Sequence, residues 1–289
     1  MKRGFFIGRT TMDILYYMEG LPAENKKAKT LDYRTCVGGN ACNAAITYSL
    51  LGGKAVLITA IGNSSIGKSI KMELKEYDIE VVDLLEGQDI LPFLSAILIN
   101  VKTESRTIWG GHQPPLAKIE LDEENIIRDA AFILTDNQFP KLTVSLLEKA
   151  ESKQIVSVFD AERWGEETEM LLETVTEVIA SSDCLPPDQR NLMEVMREKG
   201  VLCRAVTDGG NPTIWETKER SGTIQPIHVT VVDTLGAGDI MHGAYCYFRF
   251  DRGLPFEKAL EKAVQVSSCS VAYQGPRQGV LEYVARNER

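Results

Sequence analysis

Apolar runs of strand length alternate with helical patterns along most of this 289-residue chain. The apolar and β-branched runs predict strands at Ala55–Ile61, Ile97–Val101, Ala131–Thr135, Ile155–Phe159, Val178–Ala180, Arg204–Thr207 and His228–Val232. Apolar residues at helical spacing predict helices at Ala41–Leu51, Ile66–Tyr77, Leu142–Ser152, Glu167–Thr174, Asn191–Lys199 and Pro255–Ala272. Such alternation is typical of a doubly wound α/β fold with a largely parallel sheet.

Two segments, residues 14–34 and 91–109, break this rhythm because each reads as strands with no crossover helix between them. We interpret them as a small β-sheet lid over the carboxyl edge of the main sheet, where open α/β sheets bind ligands. No linker or repeat divides the chain, so we predict a single domain over residues 1–289 with a lid subdomain. Exposed lid edges could pair with those of a second subunit, which predicts a homodimer.

Composition excludes several classes of function. The formal net charge of −9 argues against a nucleic-acid partner, which would favour a basic surface. The chain shows neither a signal peptide nor a run of about 20 apolar residues, which predicts a cytoplasmic protein without a membrane partner. Six cysteines without a Cys-x-x-Cys pair, and three histidines, make disulfide and zinc sites poor hypotheses.

The segment Asp233–Asp239 carries the strongest chemical signal and lies between a predicted strand and a helical pattern. Gly236 and Gly238 allow a sharp turn whose N–H groups converge, and the helix N-terminus adds partial positive charge. Asp239 ends this anion-attracting turn with a carboxylate, which is unfavourable for anion binding alone. The arrangement suits a general base that removes the proton of a hydroxyl attacking a phosphoryl group.

A second candidate phosphate loop, Gly62–Ser69, matches the Walker A pattern Gly-x₄-Gly-Lys-Ser between a predicted strand and helix. In a P-loop enzyme Lys68 would contact the β- and γ-phosphates, and Ser69 would bind Mg²⁺. Such an enzyme also needs an acidic residue at the end of a later strand, for which Asp136 and Asp160 are candidates. This hypothesis competes with the Asp239 site.

A family resemblance rests on ordered motifs at Gly8–Asp13, Gly38–Ala45, Thr207–Gly210, Asp233–Asp239 and Gly275–Gly279. Over most of its length the chain resembles the ribokinase-like (PfkB) carbohydrate kinases. The resemblance implies a ribokinase-like α/β fold with a small β-sheet lid, and an ATP-dependent sugar kinase that uses Mg²⁺. It also implies that Asp239 is the general base, and that the backbone of Gly236, Ala237 and Gly238 forms an anion hole.

The same resemblance implies a sugar site and a nucleotide site. Its implied substrate-binding residues are Asp13, Gly38, Gly39, Asn43, Lys27 and Arg106. Its implied nucleotide-binding residues are Thr207, Gly209, Gly275 and Asn191, with Glu194 as the metal-binding residue. Asn191 and Glu194 match the family's Asn-x-x-Glu motif in letters, although by distance along the chain Asp188 could occupy the Asn position.

Within the family, Met12–Pro22 and Gly236–Ala244 are most similar to the branch that includes sulfofructose kinase and ketohexose kinases. This implies phosphoryl transfer to a primary hydroxyl of a ketose or related sugar. Three alternatives remain open: a P-loop kinase or NTPase, a nucleoside kinase, and a non-catalytic sugar- or nucleotide-binding protein on the same fold. The intact Asp239 argues against the non-catalytic alternative.

Overall fold

The computed structural model describes residues 3–103, 105–111, 116, 121–165 and 167–287. Its strands are β1 Arg3–Ile7, β2 Thr11–Met18, β3 Asp32–Gly38, β4 Ala55–Thr59, β5 Glu80–Asp83, β6 Phe93–Asn100, β7 Ser105–Gly110, β8 Ala130–Thr135, β9 Val156–Ala161, β10 Glu177–Ser181, β11 Cys203–Asp208, β12 Asn211–Glu216 and β13 Ser221–Ile224. Its α-helices are α1 Asn40–Leu50, α2 Ser65–Glu76, α3 Glu123–Ile126, α4 Pro140–Ser152, α5 Thr168–Leu172, α6 Leu192–Glu198, α7 Ala237–Cys246, α8 Phe256–Ser270 and α9 Gln278–Asn287. A π-helix, Tyr247–Asp251, continues α7.

The larger sheet has nine strands in the order β13-β12-β11-β10-β9-β8-β1-β4-β5. Every neighbouring pair from β11 to β5 is parallel, and the pairs that involve β12 and β13 are antiparallel. The predicted mostly parallel sheet is therefore confirmed. The strand order reverses at β1, between β4 and β8, and the crevice at the carboxyl ends of such strands is where open α/β sheets bind ligands.

Helices cover both faces of this sheet. Successive side chains of a strand point to opposite faces, so strands that are apolar throughout need packing partners on each face. Phe6 and Leu57 lie in a core that includes buried residues of α1, α2, α7, α8 and α9. Phe5 and Val56 lie in the opposite core, with buried residues of α4, α5 and α6. The apolar runs seen in the sequence are thus strands that are buried on both faces of the sheet.

Six of the seven predicted strands, and all six predicted helices, correspond to elements of the structure with shifted ends. The predicted strand His228–Val232 is wrong. Val231 and Val232 are 57% and 59% exposed, and Val232 donates its N–H to the Val271 carbonyl oxygen at 2.7 Å. The edge of the sheet is instead the hairpin of β12 and β13, so this β-branched run has no neighbouring strand to pair with.

A smaller sheet has the order β3-β2-β6-β7. Its inward face consists of Asp13, Leu15 and Tyr17 on β2 and their register partners Ser95, Ile97 and Ile99 on β6. Leu15, Tyr17 and Ile97 are buried, and Leu235 packs against them from the loop before α7. The smaller sheet confirms this part of the predicted fold. The role of residues 14–34 and 91–109 as a lid subdomain stays a prediction, and residue 104 lies outside the described residues.

Candidate active site

The first turn of α7 presents the predicted base to a neighbouring helix. Asn43, on α1, donates a hydrogen bond from Nδ2 to Asp239 Oδ2 at 2.7 Å. Burial, and then the negative charge of Asp160, raise the pKa of the Asp239 carboxyl to about 7. A carboxylate that titrates near neutral pH can both accept a proton and release it again, which suits general-base chemistry.

The glycine turn before α7 is crowded and left-handed. Gly236 has φ +70°, and a Cβ there would lie 3.3 Å from Pro276 Cβ and 3.4 Å from Asn43 Nδ2. The N–H groups of Gly236 and Gly238 donate to no residue that the structure describes, whereas the Ala237 N–H closes a turn onto Thr234 at 3.3 Å. Two of the three amide groups expected to bind an anion therefore remain available.

Asp233 holds this turn in shape without using its glycine amides. Its Oδ1 accepts the Leu235 N–H at 2.9 Å, and its Oδ2 accepts the Gly275 N–H at 3.0 Å. Gly275, which has φ +76°, is thereby joined to the turn that precedes α7. The structure thus brings this predicted nucleotide-binding residue close to the predicted anion hole.

On the sugar side, Asp13 lies against the glycine pair that follows β3. Thr11 donates its hydroxyl to Asp13 Oδ1 at 2.6 Å, and a Cβ on Gly38 would overlap the Asp13 carboxylate. A Cβ on Gly39, which has φ +97°, would overlap the Arg9 carbonyl group. Burial raises the pKa of Asp13 above its usual value. Glycine at 38 is therefore required beside the Asp13 carboxylate, and glycine at 39 is required by the backbone next to Arg9.

Asn43 connects the two sides. It is 5% exposed, and its Oδ1 is buried with no hydrogen-bond partner among the described residues, while its Nδ2 binds Asp239. A buried acceptor without a partner is costly, and a bound hydroxyl group would satisfy it. The arrangement can therefore hold an alcohol beside the Asp239 carboxylate.

Lys27 and Arg106, the two cations predicted to contact substrate, lie on the smaller sheet and its loop. Arg106 pairs in register with Ile99, which places it on the inward face, and it is exposed. Lys27 is exposed in the loop between β2 and β3. The structure records no contact between either side chain and Asp13, so their substrate roles stay predictions.

The remaining predicted nucleotide residues lie in β11 near its carboxyl end or in the segments that follow β10 and β11. The Thr207 hydroxyl donates a hydrogen bond to the Ala180 carbonyl oxygen at 3.3 Å. Gly209, with φ +52°, lies in the turn between β11 and β12. Asn191 caps α6 by accepting the Met193 N–H at 2.9 Å. Glu194 is exposed in the first turn of α6. The Asn191 side-chain oxygen is therefore occupied in the structure, and the Glu194 carboxylate is accessible.

Two residues near the candidate base were not predicted for the Asp239 site, although Asp160 was a candidate acidic residue of the P-loop hypothesis. His242 faces the Gly238 carbonyl oxygen from Nδ1 at 2.8 Å and the Ile179 carbonyl oxygen from Nε2 at 3.1 Å. Asp160, at the end of β9, lies 3.6 Å from His242 Nε2. Burial raises the pKa of Asp160 and lowers the pKa of His242. The position of His242 three residues after Asp239, on one helix face, was the available signal.

The Walker-like loop has a different structure. Asp83, at the end of β5, accepts the Ile61 N–H at 2.9 Å and the Gly62 N–H at 3.0 Å. Asn63 and Gly67 donate their N–H groups to Gln88 and Ser64, and Lys68 is exposed. These amide groups at the start and end of the loop are committed within the protein, which argues against a phosphate cradle there.

Comparison with known proteins agrees with this geometry. The model of the pfkB family carbohydrate kinases matches residues 1–282. The chain belongs to the pfkB family of carbohydrate kinases. The family match covers every motif named above but does not separate the branches of the family. The assignment to the sulfofructose and ketohexose kinase branch stays a prediction.

Known relatives cover nearly all of this pfkB-family kinase. The ribokinase of Haemophilus influenzae is 22% identical over 90% of this chain and 88% of its own length. The ketohexokinase of Mus musculus is 23% identical over 95% of this chain and 97% of its own length. The structure of Arabidopsis thaliana ribokinase complexed with ribose and ATP is 18% identical, covers 98% of each chain and superposes with a TM-score of 0.79.

The pfkB-family assignment implies ATP as phosphoryl donor, and the unpaired N–H groups of Gly236 and Gly238 fit an anionic phosphate. Within the described residues, no group of three or more His, Cys, Asp or Glu side chains is placed to hold a metal ion. Mg²⁺ in phosphoryl transfer is held by substrate phosphates and one or two carboxylates, so it needs no such group, and Glu194 as its ligand stays a prediction. No helix in the described part of the chain is long and apolar enough to cross a membrane.

Proposed function

We propose that this kinase transfers the γ-phosphoryl group of ATP to a primary hydroxyl of a ketose or related sugar. The observation that carries the proposal is the half-buried Asp239 carboxylate, bonded to Asn43 and adjacent to two amide groups without a partner among the described residues. A base, a polar anchor and an anion site then lie around one point, as phosphoryl transfer to an alcohol requires. The Walker-like loop offers no equivalent arrangement.

In this mechanism the sugar lies between the two sheets. The Asp13 carboxylate accepts hydrogen bonds from two sugar hydroxyls, and the lack of a side chain at Gly38 leaves space beside it. Asn43 Oδ1 accepts a hydrogen bond from a third hydroxyl, while Asn43 Nδ2 donates to Asp239 and keeps this base in position. These contacts orient the reacting hydroxyl toward Asp239.

Asp239 takes the proton of the attacking hydroxyl as the sugar oxygen bonds to the γ-phosphorus. The bond from the γ-phosphorus to the β–γ bridging oxygen breaks, and its electron pair leaves with ADP. The N–H groups of Gly236 and Gly238 stabilise negative charge on the transferred oxygens. Mg²⁺, for which Glu194 is the candidate ligand, supplies charge neutralisation when it is bound with the nucleotide.

A substrate panel in a coupled ADP-release assay tests the proposal. We expect ADP release with ketoses, and much slower release with aldoses, sugar acids, nucleosides or water as acceptor. Preference for nucleosides would support the nucleoside-kinase alternative. Sugar binding by calorimetry without ADP release from any acceptor would instead favour a non-catalytic binding protein.

We also propose a homodimer formed through the smaller sheet. On its outer face Tyr33 and Trp109 are 68% and 67% exposed, although both are large aromatic side chains. Aromatic side chains of this kind are enriched at protein interfaces. Light scattering at assay concentration tests the proposal, and a monomer would refute it.

A further inference from the structure

One residue connects the smaller sheet to the glycine turn. Leu235 directly precedes Gly236, and its side chain packs against the buried cluster Leu15, Tyr17 and Ile97. That cluster is on the inward face of the smaller sheet, and Leu235 belongs to the loop that begins α7. The contact therefore joins two parts of the site that are otherwise separate in sequence.

The backbone around Leu235 is anchored rather than free. Its N–H donates to Asp233 Oδ1 at 2.9 Å, and the Asp233 N–H donates to the Val271 carbonyl oxygen at 3.2 Å. The other Asp233 carboxylate oxygen accepts the Gly275 N–H at 3.0 Å. A displacement of the Leu235 side chain is therefore transmitted to Gly236 instead of being absorbed by a flexible loop.

The sugar side of the contact is equally direct. Asp13, Leu15 and Tyr17 lie on one strand, β2, at alternate positions, and so on the same face. A sugar bound by Asp13 holds β2, and with it the cluster against which Leu235 packs. Next to Leu235 in the chain, a Cβ added to Gly236 would lie 3.4 Å from Asn43 Nδ2 and 3.6 Å from Asp239 Oδ2, so this turn is close to both side chains.

We propose that Leu235 is a positioning residue that couples occupation of the sugar site to the geometry of the Gly236–Asp239 turn. The inference rests on the proposed sugar-kinase function. With the apolar contact intact, the bound sugar and the anion hole are held in one arrangement. Without it, the smaller sheet and the turn move independently, so nucleotide and sugar still bind but react less often and water competes more successfully.

Truncation from both sides of the contact tests the coupling. We expect Leu235→Ala and Leu15→Ala each to lower kcat about tenfold, with the KM for ATP within about twofold of wild type. The double variant should be no more than about twofold worse than either single variant, because both remove the same coupling. The ratio of ATP hydrolysed to sugar phosphorylated should rise in all three. Leu235→Met, which keeps the apolar volume, should restore kcat.

Val232→Ala is the matched control, since Val232 is 59% exposed in the same loop and bonds to Val271 through its backbone alone. It should leave kcat and the hydrolysis ratio unchanged. If Leu235→Ala fails to fold, Leu235→Val should still lower kcat about threefold and raise the hydrolysis ratio. If the wild type is active and Leu235→Ala or Leu235→Val has the same kcat and hydrolysis ratio as Val232→Ala, the inference is overturned and the proposed function is not. Additive losses of kcat in the double variant would also overturn the inference. A wild type inactive on every sugar would overturn the proposed function.

Discussion

Two glycine-rich turns of this kinase each precede a helix and each match a phosphate-binding motif, yet their backbones differ in what they can bind. In the turn before α2, the amide groups of Ile61 and Gly62 donate to the Asp83 carboxylate. In the turn before α7, the amide groups of Gly236 and Gly238 have no partner among the described residues. A motif therefore describes what a backbone can do, and the neighbouring side chains determine whether it is available.

The position of one carboxylate explains the difference. Asp83 ends β5, next to β4, so it reaches the amide groups of the loop after β4, and Lys71 pairs with it at 2.8 Å. Asp233 lies within its own loop and accepts the N–H groups of Leu235 and Gly275. The first carboxylate occupies the amide groups of Ile61 and Gly62, whereas the second leaves those of Gly236 and Gly238 unbonded among the described residues.

Replacement of the proposed base should have the largest effect. We expect Asp239→Asn to lower kcat by about 10³-fold, because a neutral amide cannot accept the hydroxyl proton. The KM values for sugar and ATP should change little, because Asp13 and the glycine amides remain. Steady-state kinetics on purified variant and wild type measure both. Near-normal kcat in Asp239→Asn would remove the base from this turn.

The pH dependence of kcat/KM should report the titration of the Asp239 carboxyl group. Its pKa is raised to about 7, so we expect kcat/KM to fall about tenfold per unit as the pH drops below that value. The sign for stability is opposite, because the folded state binds this proton more tightly than the unfolded state. The contribution of Asp239 to stability is therefore lost as the pH rises toward 7.

Rate profiles and thermal melts from pH 5 to 9 measure both effects. Asp239→Asn should melt above wild type at pH 8, and the difference should shrink toward pH 5. A kcat/KM profile that stays flat down to pH 5, as a carboxyl group with an ordinary pKa of about 4 would give, would contradict the raised pKa of Asp239.

The smallest effect is expected in the other turn. Lys68→Ala should change kcat by less than about twofold, because this exposed side chain follows a turn whose Ile61 and Gly62 amides are already bonded to Asp83. The same coupled assay measures it, with Lys75→Ala, also exposed on α2, as the control. A loss of more than about tenfold in Lys68→Ala alone would restore the P-loop hypothesis, since a genuine P-loop lysine contacts the transferred phosphate.

The sequence by itself determined the alternation of strands and helices, the family, and the turn that holds Asp239, because these depend on periodicity and on contiguous residues. Tertiary structure decided that Asp83 binds the first amides of the Gly62–Ser69 loop, that Val231 and Val232 are exposed, and that Asn43 reaches Asp239. Each of these depends on residues far apart in the chain. A local pattern records which hydrogen bonds and burial a segment permits, whereas the partners that satisfy them are supplied only when the distant elements pack together.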